Sequence, residues 1–98
     1  MQIQIQRRAE IALRSLQKLE RKQIDRALKE LLASDRAALN SNLKFHLLAS
    51  GFSDKKIAVY SGGPNLRLVL TFEDERCTLE DIVDHVRLDR LVKQRGQE

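Results

Sequence analysis

The chain has 98 residues, 42% of them hydrophobic and 33% charged, a balance that suits one soluble domain with one modest core. Its longest apolar runs are far too short to cross a membrane, its first residues lack the basic and apolar blocks of a secretory signal, and its single cysteine, Cys77, excludes an intramolecular disulfide and a cysteine-rich zinc site. An intracellular, cytoplasmic protein is expected. The net charge of +4 is uneven: residues 1–50 carry ten Lys/Arg against five Asp/Glu, and residues 51–98 carry eight against nine. A basic surface suits nucleic acid or an acidic protein partner, although four aromatic residues leave little scope for base stacking.

Residues 2–6 alternate Gln and Ile and predict a short strand with Ile3 and Ile5 facing inward. From Arg7 the period lengthens, and Ala9, Ala12, Leu13, Leu16 and Leu19 mark one face of an amphipathic helix. After a break placed at Glu20 to Lys22, a second stripe runs through Ile24, Ala27, Leu28, Leu31 and Leu32, so the two helices should fold into an αα-hairpin. Ser34 to Asn42 is polar, with room for a helical turn at Arg36 to Leu39; Leu43 to Leu48 is compatible with a short strand or a structured loop.

Strands are predicted at about 56–61, 66–73 and 77–84, and Val86 to Arg95 has helical spacing. The expected architecture is α+β, one domain over 1–98, in the order β-α-α-β-β-β with a C-terminal helical tail. A small antiparallel sheet should pack on the helical hairpin through Leu66, Leu68, Leu70 and Phe72. Arg67 then shares the other face of its strand with Val69 and Thr71. A cation there needs a carboxylate partner, such as Glu80 or Asp81, or an outward task. Acidic residues cluster nearby at Glu73, Asp74, Glu75, Glu80, Asp81 and Asp84. Gly62-Gly63-Pro64 lacks the Lys-Ser/Thr ending and following helix of a phosphate loop, and reads as a hairpin turn.

The element order and several strings together resemble the RelE/ParE toxin superfamily of bacterial toxin–antitoxin systems. The likeness rests on the strand running into Arg7-Arg8-Ala9, on Asn42-Leu43-Lys44-Phe45-His46-Leu47-Leu48, and on Lys56-Ile57-Ala58-Val59-Tyr60. It continues through Leu66-Arg67-Leu68-Val69-Leu70 and Asp81-Ile82-Val83-Asp84-His85-Val86-Arg87. The resemblance implies growth arrest by one of two routes. The first is cleavage of mRNA on the ribosome without a metal or any other cofactor. The second is non-enzymatic inhibition of DNA gyrase, and an inactive toxin homologue is a further alternative.

Matched by position, the family's catalytic cations fall at Lys56, Arg67 and Arg87. Arg67 would stabilise transition-state charge, Arg87 would hold the phosphate, and Lys56 would assist the nucleophile. Two positions depart from the pattern: Ala58 stands where a second lysine is expected, and Lys93 where a tyrosine is expected. His85 could supply the missing proton transfer, or could simply cap a strand end. Lys44, Lys55 and Lys93 are the cations placed along bound RNA, and His46 is expected to be structural. The implied partner is an acidic antitoxin that folds on binding, beside the ribosome and mRNA.

Overall fold

In the computed structural model, the residues described are 1–48, 56–73 and 76–84. A strand β1 (Ile3–Ile5) leads into helices α1 (Arg7–Ser15), α2 (Lys18–Leu32) and α3 (Arg36–Asn40). Strands β2 (Phe45–Leu48), β3 (Lys56–Ser61), β4 (Leu66–Glu73) and β5 (Arg76–Asp84) follow. They form one five-stranded sheet in the order β1-β5-β4-β3-β2. The strands β2 to β5 pair antiparallel, as the meander predicts. β1 instead joins β5 in parallel, Ile3 opposite Cys77 and Ile5 opposite Leu79. The three helices and three strands between them supply the long connection that a parallel pair requires.

The segment of uncertain type, Leu43 to Leu48, thus contributes the edge strand β2. The helical tail expected over Val86 to Arg95 lies outside the described residues. Among those described, no helix is long and apolar enough to cross a membrane.

The helix break falls earlier than the apolar spacing places it. Leu16 and Gln17 are extended, and α2 starts at Lys18 with the Glu20 carboxylate accepting from the Gln17 N–H at 3.3 Å. That side chain satisfies one of the donors a helix start leaves open. The restart resets the helical phase. Leu16 still packs on the core, whereas Leu19 no longer continues the α1 stripe and is 68% exposed. Leu32, next to the buried Leu31, points outward, and Ile5 lies at the uncovered end of its edge strand with 48% exposure. α3 starts at Asp35, whose carboxylate accepts from the Ala38 N–H at 2.7 Å.

The core sits between the sheet and the helices. Leu66, Leu68, Leu70 and Phe72 of β4 are buried against Ala9, Ile24, Ala27, Leu31 and Leu39, with Ala58, Tyr60, Cys77, Leu79 and Ile82 on the neighbouring strands. Burial raises the Cys77 thiol to about 11, so this sulfur packs as a small apolar group. The guanidinium of Arg36 lies 4.1 Å over the Phe72 ring, and Phe45 meets that ring edge-on.

Two local devices fix the sheet. Between β3 and β4, Gly63 has φ 145° and sits against Gln23, while a Cβ at Gly62 would collide with the Ile24 side chain. Glycine at both positions lets the hairpin turn press onto α2. In β5, the pairing shifts one residue between Val69 and Leu70 of β4: Val69 faces Asp81, yet Leu70 faces Leu79. Glu80 is the additional residue of a β-bulge. Replacing Leu68 with Ala should cost about 3 kcal/mol in urea unfolding, because it opens a cavity at the sheet centre. The matching change at the half-exposed Leu47 should stay within about 0.5 kcal/mol.

Candidate functional site

Alternation along β4 turns Arg67, Val69 and Thr71 away from the helices. The cross-strand register assembles their face row by row. Ser61, Arg67 and Val83 make one row; His46, Val59, Val69 and Asp81 the next; Leu48, Ile57, Thr71 and Thr78 the third. Val59 and Val83 are buried there, with Leu48 and Val69 packed against them. Among the described residues, the distal face therefore has an apolar centre bordered by polar side chains, with the Arg67 guanidinium at its β3–β4 end.

Arg67 is half-buried, and its Nη1 donates to the carbonyl oxygens of Gly63 at 3.0 Å and Leu66 at 2.9 Å. These two bonds hold the guanidinium over the turn. Among the described residues no carboxylate forms a salt bridge with it, and its Nε and Nη2 donors have no acceptor. Neither carboxylate weighed as its ion-pair partner takes that role. Glu80 accepts from the Thr71 hydroxyl at 2.7 Å, and the buried Asp81 accepts from the Ile82 N–H at 2.8 Å. Alternation from Leu79 turns Glu80 toward this face, and the bulge brings Asp81 there as well. A rigid guanidinium with open donors, beside Ser61 on the neighbouring strand, can bind an oxyanion through paired N–H···O bonds.

Of the other residues matched to catalysis, Lys56 is opposite Phe72, on the helix-facing side of the sheet. It lies five residues along β3 from Ser61, the cross-strand partner of Arg67, which is roughly 17 Å along the strand. Strand alternation therefore sets Lys56 and Arg67 on opposite faces of the sheet. His85 and Arg87 lie outside the described residues, as do Lys55 and Lys93.

Lys44 is committed elsewhere. Its Nζ donates to both Glu30 oxygens at 3.1 Å, in a salt bridge between the β2 approach and α2. The Tyr60 hydroxyl donates to the same carboxylate at 2.7 Å and accepts from Asn42 Nδ2 at 3.3 Å. Tyr60 has no exposed surface. Burial, reinforced by the Glu30 bond, pushes its phenol up to about 12, and the Tyr60 and Lys44 bonds hold Glu30 below the usual carboxylate range. Spacing alone gives Lys44 no such partner, since Glu30 is fourteen residues away.

His46, expected to be structural, lies on the distal face as well. It is exposed on the same face as Arg67, two strands away, about 12 Å between backbones. The signal was present in Phe45-His46-Leu47-Leu48, where strand alternation separates His46 and Leu48 from Phe45 and Leu47.

No protein-family model matches the sequence, and no curated protein matches it significantly. Its fold does match solved structures. The archaeal RelE–RelB complex from Pyrococcus horikoshii OT3 superposes with a TM-score of 0.64 at 16% identity, covering 88% of this chain and 96% of the other. YafQ from E. coli strain BL21(DE3) gives 0.55 at 19% identity, covering 89% and 96%. The chain of the E. coli DinJ–YafQ toxin–antitoxin complex gives 0.53 at 20% identity, covering 89% and 94%. The chain thus has the RelE fold along most of its length.

The Tyr60–Glu30 bond has a pH signature. The raised Tyr60 value means that its contribution is fully present below the unfolded value near 10 and is lost as pH rises through about 12. Tyr60→Phe should cost about 1.5 kcal/mol at neutral pH. It should also flatten the fall in stability across that alkaline window, measured by urea unfolding at several pH values.

Proposed function

We propose, from the RelE fold together with the placement of Arg67, that this chain is the toxin of a type II toxin–antitoxin system that arrests translation by cleaving mRNA on the ribosome. The observation that carries the reading is the Arg67 guanidinium, held on the distal sheet face with open donors and no salt bridge among the described residues. Cleavage by attack of a ribose 2′-hydroxyl on the adjacent phosphate builds negative charge on the phosphoryl oxygens. A fixed fork of N–H donors stabilises that charge more in the transition state than in the ground state.

The remaining tasks are a base for the hydroxyl and an acid for the departing 5′-oxygen. His85 is assigned proton transfer and Arg87 phosphate binding, on sequence match alone. Lys56 is not assigned to the reacting phosphate, because the sheet lies between it and Arg67. His46 and Glu80 are on the Arg67 face and form the second choice for proton transfer. An acidic antitoxin is the expected partner; the similar folds are found in a RelE–RelB complex and a DinJ–YafQ toxin–antitoxin complex. Its negative charge complements the basic first half of the chain.

A second reading, inhibition of DNA gyrase without catalysis, draws on the separation of Lys56 from Arg67, since binding needs no proton-transfer set. A cell-free extract separates the two. Truncated reporter mRNA supports the nuclease, whereas intact mRNA with loss of plasmid supercoiling supports the gyrase reading.

Arg67→Ala should leave the melting temperature within a few degrees and abolish growth arrest, with cleavage slowed on the order of a hundredfold or more. Arg67→Lys keeps the charge but loses the fork, and should recover only a small part of the activity. A destabilised Arg67→Ala protein that still arrests growth would overturn the assignment. For the partner, co-expression with the neighbouring acidic reading frame should relieve toxicity and yield a stable complex on purification.

A further inference from the structure

A groove of about 460 Å³ runs between α2 and the β3–β4 turn, lined by Leu19, Lys22, Gln23, Arg26, Lys44 and Gly63 among others. Three of its side chains are cations, against one carboxylate, Glu30, which already accepts from Tyr60 and Lys44. Lys22 and Arg26 are exposed, and among the described residues neither has a salt-bridge partner. With Lys18 they repeat every fourth residue of α2, rising about 6 Å at each step. Like charges at that spacing destabilise an isolated helix by a few tenths of a kcal/mol per pair, a cost that reverses when a polyanion lies alongside.

The groove is continuous with the site. Gly63 lines it and also accepts the Arg67 Nη1 bond at 3.0 Å, and Ser61, another lining residue, is the cross-strand partner of Arg67. Its wall is preformed, since the turn rests on Ile24 and Gln23 through Gly62 and Gly63. We propose that this groove carries the phosphate backbone of an RNA strand whose neighbouring segment lies at Arg67, with Lys22 and Arg26 each facing one phosphodiester. The inference rests on the RNA-cleaving reading and extends it to a track on the opposite side of the turn. A strand's phosphates recur regularly, as the cations do, and a sequence-independent contact of this kind positions RNA without reading its bases.

The test is binding of a short, fluorescein-labelled RNA with 2′-O-methyl riboses, which cannot be cleaved by in-line attack, to the full chain. Anisotropy titrations between roughly 50 and 200 mM KCl give the salt slope. The double variant Lys22→Gln/Arg26→Gln should bind about tenfold more weakly at the middle of that range. Its slope of log K against log salt should fall by about 1.4, the value for losing two single-strand phosphate contacts. Both residues are exposed, so its melting temperature should match the parent. Arg8→Gln/Lys29→Gln makes the same charge change outside the groove and should leave the slope nearly unchanged.

An equal effect from both double variants would mean diffuse charge and would overturn the proposal, as would a parent chain that does not bind the RNA. Capture of a polyglutamate peptide with no RNA binding would overturn it in favour of an acidic protein partner. A parent that binds with the predicted slope change yet never cleaves mRNA would sink the nuclease reading and leave the groove standing. Toxicity lost in Arg67→Ala with an unchanged slope in Lys22→Gln/Arg26→Gln would do the reverse.

Discussion

Burying Leu66, Leu68, Leu70 and Phe72 beneath the helices compels Arg67, Val69 and Thr71 to face the other way, because a strand has only two sides. A slip of one residue in β4 would drive a guanidinium into the core and four large apolar groups out of it. Each Leu or Phe buried contributes about 1.5–3 kcal/mol, so the penalty far exceeds any interaction available on the distal face. The position of the candidate site is thus set by hydrophobic burial on the opposite side of the sheet. Arg67 need not contribute to stability to be held where it is.

The same division explains which cations remain available for a ligand. Lys44 is drawn into a polar clasp with Glu30, Tyr60 and Asn42, which ties the approach to β2 onto α2 across the edge of the core. Arg36 stacks on Phe72 beneath the sheet. Arg14 pairs with Glu10 on the exposed face of α1 at 2.8 Å, an exposed pair of small energetic weight. What remains near the β3–β4 turn is Arg67 on one side and Lys22 with Arg26 on the other. The turn that separates them is itself pinned by close packing, so the elements that carry the three are held against one another.

The three meander strands and the two apolar helical stripes were legible because period-two and period-3.6 patterns there run long enough to be unambiguous. Arg67 stood out for the same reason, as a cation interrupting an otherwise apolar run. The helix break was not legible from apolar spacing, since it depends on Glu20 bonding back to Gln17, a polar event inside a helix-forming stretch. The parallel pairing of β1 was hidden because three residues carry too little pattern to choose a neighbour. Lys44 looked free because its partner lies on a different element. The separation of Lys56 from Arg67 follows from alternation and hairpin register; matching each residue to a family position overlooked it.

The bulge in β5 bears on chain length as well as geometry. Reading strict alternation through Arg76–Asp84 would set Asp81 beside Cys77 and Leu79 and turn Ile82 out, the reverse of what the register shows. Deleting Glu80 would bring Leu79, Asp81, Ile82 and Val83 into plain alternation with every side chain on its present face. In sequence alignments, therefore, a homologue one residue shorter here keeps the entire core, and the gap belongs at Glu80 rather than in the neighbouring turn. Such a chain would sacrifice the Thr71 partner and the additional twist that an unpaired residue imposes on the sheet.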